Sequence, residues 1–369
     1  MRNPLLATFN NQPCLVAHEM RGQFESYLDQ AAASLARIEA ATDAPVMADD
    51  FWYAPDDWRA TYRPYTVRDG VLLVPVKGVL LHDFGYQLGS WATGYLYITK
   101  AIERGLADDQ VKGIALIIDS PGGHVAGNFD LVDKIYAARG QKPIRAYASE
   151  SAYSAAYSIA SAADSITVTR TGGVGSIGVL VVHLDASGAM EQAGYKITFI
   201  FAGKHKVDGN PYEALPADVK ARIQARVDEL WSVFVSTVAR NRTMDEQAIR
   251  DFEALTFTAT EATSNGLADA IGSLEDAIAV FAADLSSDNE DTTMNRRSTS
   301  LPELSRVERT ARLMFGRAAT DAEPSTKMPN RVECTMRLMT GRSATDATPS
   351  KVPELSRVER TMRLRDQGY

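Results

Sequence analysis

The chain has 369 residues, of which 45% are hydrophobic and 23% charged, the balance of a soluble globular protein with a sizeable core. A formal net charge of -8 argues against a nucleic-acid-coating role. Two cysteines, Cys14 and Cys334, exclude a disulfide framework and a cysteine-based metal site, and they point to a reducing, intracellular compartment.

The N-terminus, Met1-Arg2-Asn3-Pro4-Leu5-Leu6, lacks the apolar run of a signal peptide, and no stretch is apolar for long enough to span a bilayer, so no membrane anchor is expected. Residues 1–65 read as an N-terminal extension that packs on the core. Within it, Phe24 to Ala40 is a predicted helix with Leu28, Ala32, Leu35 and Ile38 on one stripe, and an aromatic run follows at Phe51-Trp52-Tyr53.

From residue 66 to 283 strands and helices alternate. Strands are predicted at Val71–Val76, Val111–Asp119, Ile144–Ala148, Ile166–Thr169, Ile177–Val182 and Ile197–Phe201. Helices are predicted at Tyr97–Leu106, Val125–Arg139 and Ser154–Ala163, and Val219, Ile223, Val227, Leu230, Phe234 and Val238 mark a long one after Pro216. Continuous apolar strands between helices call for an α/β fold with a mostly parallel sheet covered on its faces.

From residue 284 onward the composition shifts. Ser286-Ser287-Asp288-Asn289-Glu290-Asp291 reads as a polar linker, and an internal repeat follows it. Ser305-Arg306-Val307-Glu308-Arg309-Thr310 recurs loosely from Asn330 and closely at Ser356-Arg357-Val358-Glu359-Arg360-Thr361. Each copy suits two or three helical turns, which are marginal alone in water. Residues 284–369 therefore read as a flexible tail carrying short binding helices.

Four motifs carry chemistry. Asp119-Ser120-Pro121-Gly122-Gly123 follows a buried strand and precedes a helix, so backbone N–H groups at a strand-to-helix turn, aided by the helix dipole, are placed to hold an oxyanion; a plain tight turn is the alternative. Tyr153-Ser154-Ala155-Ala156 opens a helix of very small residues after a strand, where a nucleophilic hydroxyl and a helix cap are the two readings of Ser154. Ser151, Ser158 and Ser161 are nearby rivals.

The third motif is Gly172-Gly173-Val174-Gly175-Ser176-Ile177-Gly178, a glycine loop that passes close to another backbone, with Ser176 able to orient a base. The fourth is Gly203-Lys204-His205-Lys206-Val207-Asp208-Gly209. A lysine acts as a base only if its pKa falls from about 10.4 towards 7, a penalty on the charge of ~4 kcal/mol that burial beside small residues supplies. Among the histidines His18, His82, His124, His183 and His205, a Ser–His arrangement would use His183, with Asp185 to orient it, or His124.

In this order the four motifs resemble the signal peptide peptidase A-like serine proteases, from about Thr66 to Ile278. The run Gly203 to Tyr212 looks like the branch that tailed phages use as prohead proteases. The resemblance implies a ClpP/crotonase-like spiral of β-β-α units, Ser154 as nucleophile and Lys206 as base. It implies oxyanion donors at Gly122, Gly123 and Ala155, with Ser176 as partner of the base. It calls for no metal and no cofactor.

The sequence departs from many relatives in carrying Ala155-Ala156-Tyr157 where they have a glycine soon after the nucleophile. The resemblance further implies ring-shaped self-association, capsid and scaffold proteins as substrates, self-cleavage, and a place in the host cytoplasm inside the immature phage head. A cytoplasmic signal-peptide-peptidase-like enzyme and a non-catalytic assembly protein are the competing readings. A crotonase-like acyl-CoA enzyme would not need Ser154 and Lys206 together.

Overall fold

The computed structural model of the protein describes residues 3–9, 12–40 and 51–298. Apart from Ser298 these belong to a compact unit, Met1–Arg297; a second unit, Ser298–Tyr369, holds the repeats, which lie outside the described residues.

The extension forms a short helix α1 (Pro4–Ala7), a strand β1 (Cys14–Val16) and the helix α2 (Arg21–Ala40). The central part runs β2 (Thr66–Arg68), β3 (Val71–Leu81), β4 (Gln87–Leu88), β5 (Ala92–Gly94), α3 (Tyr95–Ala107), β6 (Gly113–His124), α4 (Asn128–Ala138), β7 (Ile144–Tyr153), α5 (Ala155–Ser161), β8 (Ser165–Val168) and β9 (Gly173–Gly175). The remainder runs α6 (Ser187–Gln192), α7 (Ala217–Arg242), α8 (Glu246–Arg250), β10 (Thr256–Thr258), α9 (Ala259–Ser264), β11 (Ala270–Ile271) and α10 (Leu274–Ser298).

The sheet is mixed and mostly parallel. Its spine is β3–β6–β7, in register through Leu72↔Ile114 and Ile114↔Ile144. The order β10-β9-β7-β6-β3-β5-β4 carries it to both edges. Side chains alternate across the strands, so each run of aliphatic residues is divided between two faces. Leu72, Val74, Val76, Ile114, Leu116 and Ile118 join the cluster shared with α3, α4, α5 and α7. Val71, Ala115, Ile117 and Tyr147 face α10 through Ile278, Phe281 and Leu285. Both faces are dry, which is why these strands read as continuous apolar runs.

Two glycines let the helices close in. A Cβ on Gly105 would stand 2.5 Å from the Leu72 side chain, and one on Gly113 would stand 2.5 Å from the Phe281 ring.

Several expectations are corrected. β6 does not end at Asp119: it shifts register between Ile118 and Ser120 and runs on through Gly122-Gly123 to His124. The next helix starts only at Asn128, so the Gly-Gly pair lies at a strand end beyond a bulge, without a helix dipole behind it.

The strands expected at Ile177–Val182 and Ile197–Phe201 do not form; the first contributes only a bridge from Leu180 to Cys14. Residues 181–216 instead make an arm with side chains in solvent: Leu184 and Tyr195 are exposed, and Ile200 is 98% exposed. The apolar runs there had no partner strand to read against. The polar stretch 286–291 is not a linker but part of α10, which passes the expected boundary at 284. In α2 the buried stripe is Phe24, Leu28, Ala31 and Ile38, so Ala32 and Leu35 sit at its margin.

Candidate active site

Ser154 occupies the junction between β7 and α5, with φ 55 and ψ -116. That left-handed backbone is costly for a residue with a Cβ, on the order of 1–3 kcal/mol, and is found where the surrounding structure enforces it. The enforcement is visible. The Ser154 N–H donates to Gly175 O (2.8 Å), and the two residues that follow, Ala155 and Ala156, are small and fully buried. The Ser154 hydroxyl makes no capping bond; its one contact is a long 3.5 Å bond to Gly178 O. The helix-cap reading therefore fails, and the hydroxyl is left available.

Two of the three rival serines, Ser158 and Ser161, are occupied. Ser158 Oγ donates to Ala155 O (2.7 Å) and meets Asn128 Oδ1, while Ser161 Oγ donates to Ser158 O and receives Asn241 Nδ2. Asn128, which the sequence did not single out, anchors this layer by donating to Ala155 O (3.2 Å).

The backbone donors expected around Ser154 are brought together with it. A Cβ on Gly122 (φ +110) would lie 3.2 Å from Ser154 Cβ, and one on Gly123 would lie 1.9 Å from Leu80 O, so neither position tolerates a side chain. The Gly122 N–H is already turned inward to Ser120 Oγ (3.1 Å), whereas Gly123 pairs with Leu15 of β1. Ala155 opens α5, so its N–H has no intrahelical acceptor.

On the far side Ser176, also at positive φ (54), is held by its N–H to Leu255 O (2.8 Å). Its side chain is 8% exposed and makes no hydrogen bond among the described residues.

Lys206 stands on the arm, in a turn closed by its own N–H to Gly203 O (3.0 Å), with its side chain exposed. Its amine makes no hydrogen bond or ion pair among the described residues, and Ser154 is wholly buried, so no hydrogen bond joins the two here. Lys204 is exposed beside it. The turn is pinned to α7 by Asp208, which takes Arg222 and His205 Nδ1 (2.9 Å).

The histidine alternatives are closed off. His124 Nδ1 accepts the His82 backbone N–H (3.0 Å) and its Nε2 faces Thr8 Oγ1 (3.0 Å), so neither nitrogen is free. Burial, and then the neighbouring His82, push its pKa down to about 4, which keeps it neutral. His183 has both ring nitrogens buried without a partner, but Asp185 is spent on Ser187 N–H and Oγ and does not orient it.

Cys14 is no competing nucleophile: burial pushes its thiol up to about 11, and the thiol points at Leu180 O (3.5 Å). A cavity of about 480 Å³ is walled by Thr8 and Pro13 of the extension and by His82, His124 and Leu230 of the core; none of the predicted site residues lines it. Among the described residues no group of His, Cys, Asp or Glu is arranged to hold a metal ion, and no helix is long and apolar enough to cross a membrane.

The sequence reading missed β1 altogether. Its only signal is the short apolar run Cys14-Leu15-Val16-Ala17 after Pro13, too brief to mark a strand.

Comparison with known proteins places the chain among peptidase-like sequences. Residues 137–287 match the family model described as Peptidase family S49. The chain is 38% identical over 313 residues to the head-tail preconnector protein GP5 of Enterobacteria phage P21, covering 83% of this chain and 61% of that protein. It is 40% identical over 227 residues to the capsid assembly protease C of Escherichia phage lambda, covering 61% of this chain and 52% of that protein. The chain thus spans between half and two thirds of the length of these relatives. Among solved structures, a ClpP1 mutant from Listeria monocytogenes matches with a TM-score of 0.34 at 13% identity, covering 55% of this chain and 92% of that one.

Proposed function

We propose, from the premise that residues 137–287 are a peptidase S49 domain, that this chain is a serine endopeptidase of phage head maturation, with Ser154 as nucleophile and Lys206 as general base. The observation that carries this reading is the backbone of Ser154. A buried, non-glycine residue held at φ 55, with its hydroxyl free of capping duty, is strain without structural return unless the hydroxyl reacts.

In this reading the Lys206 amine takes the Ser154 proton as Oγ attacks a peptide carbonyl. The N–H groups of Gly123 and Ala155 receive the developing oxyanion, and the Ser176 hydroxyl orients the amine. The amine then protonates the leaving nitrogen, and water releases the acyl group by the same steps in reverse order.

The exposed arm supports a further point of the same reading: Lys206 acts on a neighbouring subunit. An arm carrying Leu184, Tyr195, Ile200 and Phe201 in solvent is an unpartnered apolar surface, and covering it with a second copy buries those side chains and desolvates Lys206 together. The substrates in this setting are capsid and scaffold polypeptides and the chain itself, in keeping with the names of the two phage relatives. Residues 298–369 act as a scaffold-like tether inside the immature shell.

The test is self-processing and hydrolysis of co-expressed capsid protein. Both disappear in Ser154→Ala and in Lys206→Ala, and mixing the two inactive chains restores activity by pairing an intact Ser154 with an intact Lys206 from another copy. Unchanged processing in Ser154→Ala refutes the assignment, and failure of mixing to rescue returns Lys206 to its own subunit.

A further inference from the structure

We infer that residues 13–17 are the enzyme's own first substrate: a strand that fills its peptide groove and is cut between Leu15 and Val16. The inference rests on the serine peptidase reading above and assigns that site its substrate class and its latency.

Residues 14–16 are held on both sides. On one side Leu15 stands opposite Gly123 in an antiparallel ladder with β6, and the Ala17 N–H donates to Pro121 O (2.9 Å). On the other the Cys14 N–H donates to Leu180 O (2.9 Å), and Cys14 O accepts the Leu180 N–H (3.0 Å). Backbone groups of an antiparallel strand alternate in direction, so Cys14 bonds towards Leu180 while Leu15 and Ala17 bond towards β6. The two walls are the Gly-Gly strand end and the segment after Ser176, which are the two segments that flank Ser154. An extended chain seated by main-chain bonds between such walls is how a groove binds a peptide by strand addition.

The register sets the bond. A Cβ built on Gly122 would lie 2.0 Å from Leu15 O, 2.9 Å from Leu15 C and 3.2 Å from Ser154 Cβ, so the Leu15 carbonyl and the Ser154 side chain converge on one point. The Leu15 side chain is 0% exposed, in the same apolar cluster as Ala155 and Ile177, while Val16 is only half-buried. The groove therefore takes an extended polypeptide with a leucine-sized aliphatic residue just before the cleaved bond. While β1 is seated, no other polypeptide enters.

The reaction balances with one water. Ser154 Oγ bonds to the Leu15 carbonyl carbon, its proton passes to the Lys206 amine, and the Leu15–Val16 C–N bond breaks as that proton moves to the Val16 nitrogen. Water then adds its hydroxyl to the Leu15 carbon as the bond from that carbon to Ser154 Oγ breaks, the remaining proton passes through Lys206 to Ser154 Oγ, and the products are a peptide ending in Leu15 and a chain beginning at Val16.

The test measures intact mass and N-terminal sequence of the full chain, alongside hydrolysis of unfolded casein. Wild-type chain is expected to yield a species beginning at Val16, and Ser154→Ala to retain residues 1–15. Leu15→Lys, with its groove vacated, is expected to degrade casein without the lag that the wild type shows before trimming. A wild-type chain that degrades casein in a Ser154-dependent way yet keeps residues 1–15 overturns this inference and leaves the peptidase reading standing. Absence of any Ser154-dependent hydrolysis overturns both. The wild-type mass measurement decides the matter even where Leu15→Lys fails to fold.

Discussion

Asn128 and Ala155 are joined by a bond of 3.2 Å from the side-chain amide of one to the carbonyl of the other, and this bond ties α4 to the first turn after Ser154. Asn128 is fully buried, and the same amide reaches Tyr95 Oη (3.3 Å) while its oxygen takes Ser158 Oγ. Replacing it with an apolar residue of similar size removes one hydrogen bond from each of Ala155 O, Tyr95 Oη and Ser158 Oγ. Asn128→Leu is expected to cost about 1–3 kcal/mol and to lower the melting temperature by roughly 2–10 °C. Thermal denaturation of the purified chain checks this, and an unchanged midpoint removes Asn128 from the positioning layer.

The strained backbone at Ser154 gives a stability prediction opposite in sign to its effect on activity. Glycine adopts φ 55 without the Cβ penalty and alanine does not. Both Ser154→Gly and Ser154→Ala are expected to abolish hydrolysis, and Ser154→Gly is expected to be more stable than Ser154→Ala by about 1 kcal/mol. Urea titration of the two inactive proteins decides it. Equal midpoints would mean that the conformation carries no strain.

His124 makes stability depend on pH in a defined direction. Burial and His82 hold its pKa at about 4, below the ordinary value near 6.5. Between these values the unfolded chain binds the extra proton and the folded chain does not. Stability therefore rises with pH from about 4 to 6.5 and is lost on acidification through the same window, by an amount of order 3 kcal/mol at most. Protonation at Nδ1 also breaks the bond from His82, and the ring stacks on Phe9 (4.0 Å), so the extension loosens with it. The difference between midpoints at pH 7 and pH 4.5 is expected to shrink in His124→Gln. An undiminished difference assigns the pH dependence elsewhere.

The boundary of the catalytic unit is testable by truncation. Leu285 is 8% exposed, a Cβ on Gly113 would meet its side chain at 2.7 Å, and Asp284 pairs with Arg145 at 2.7 Å. Removing residues 298–369 is expected to leave melting temperature and peptidase activity intact while abolishing incorporation into proheads. Removing 284–369 also strips Leu285 from the sheet and is expected to cost about 1.5–3 kcal/mol. Equal stability of the two truncations would contradict the packing of α10, and retained incorporation would refute the tether.

The strand end, turn and helix start around Ser154 are legible because their signals are local, whereas the roles of Gly122, Gly123, Ala155 and Ser176 rest on the family resemblance. A strand, a turn and a small-residue helix each announce themselves by composition, and Val71–Val76 and Gly113–Ile118 are apolar on both faces. What the sequence could not carry is information about partners. Whether Ile197–Phe201 is a strand depends on a neighbour to supply its hydrogen bonds, and the single subunit offers none, so the apolar run stands in solvent instead. Leu15 is the converse: three unremarkable residues become a strand because Gly123 and Leu180 supply bonds on either side, more than 100 positions away in sequence. The residues fixed the chemistry available at residue 154, and only the folding of distant segments against one another decided what lies in front of it.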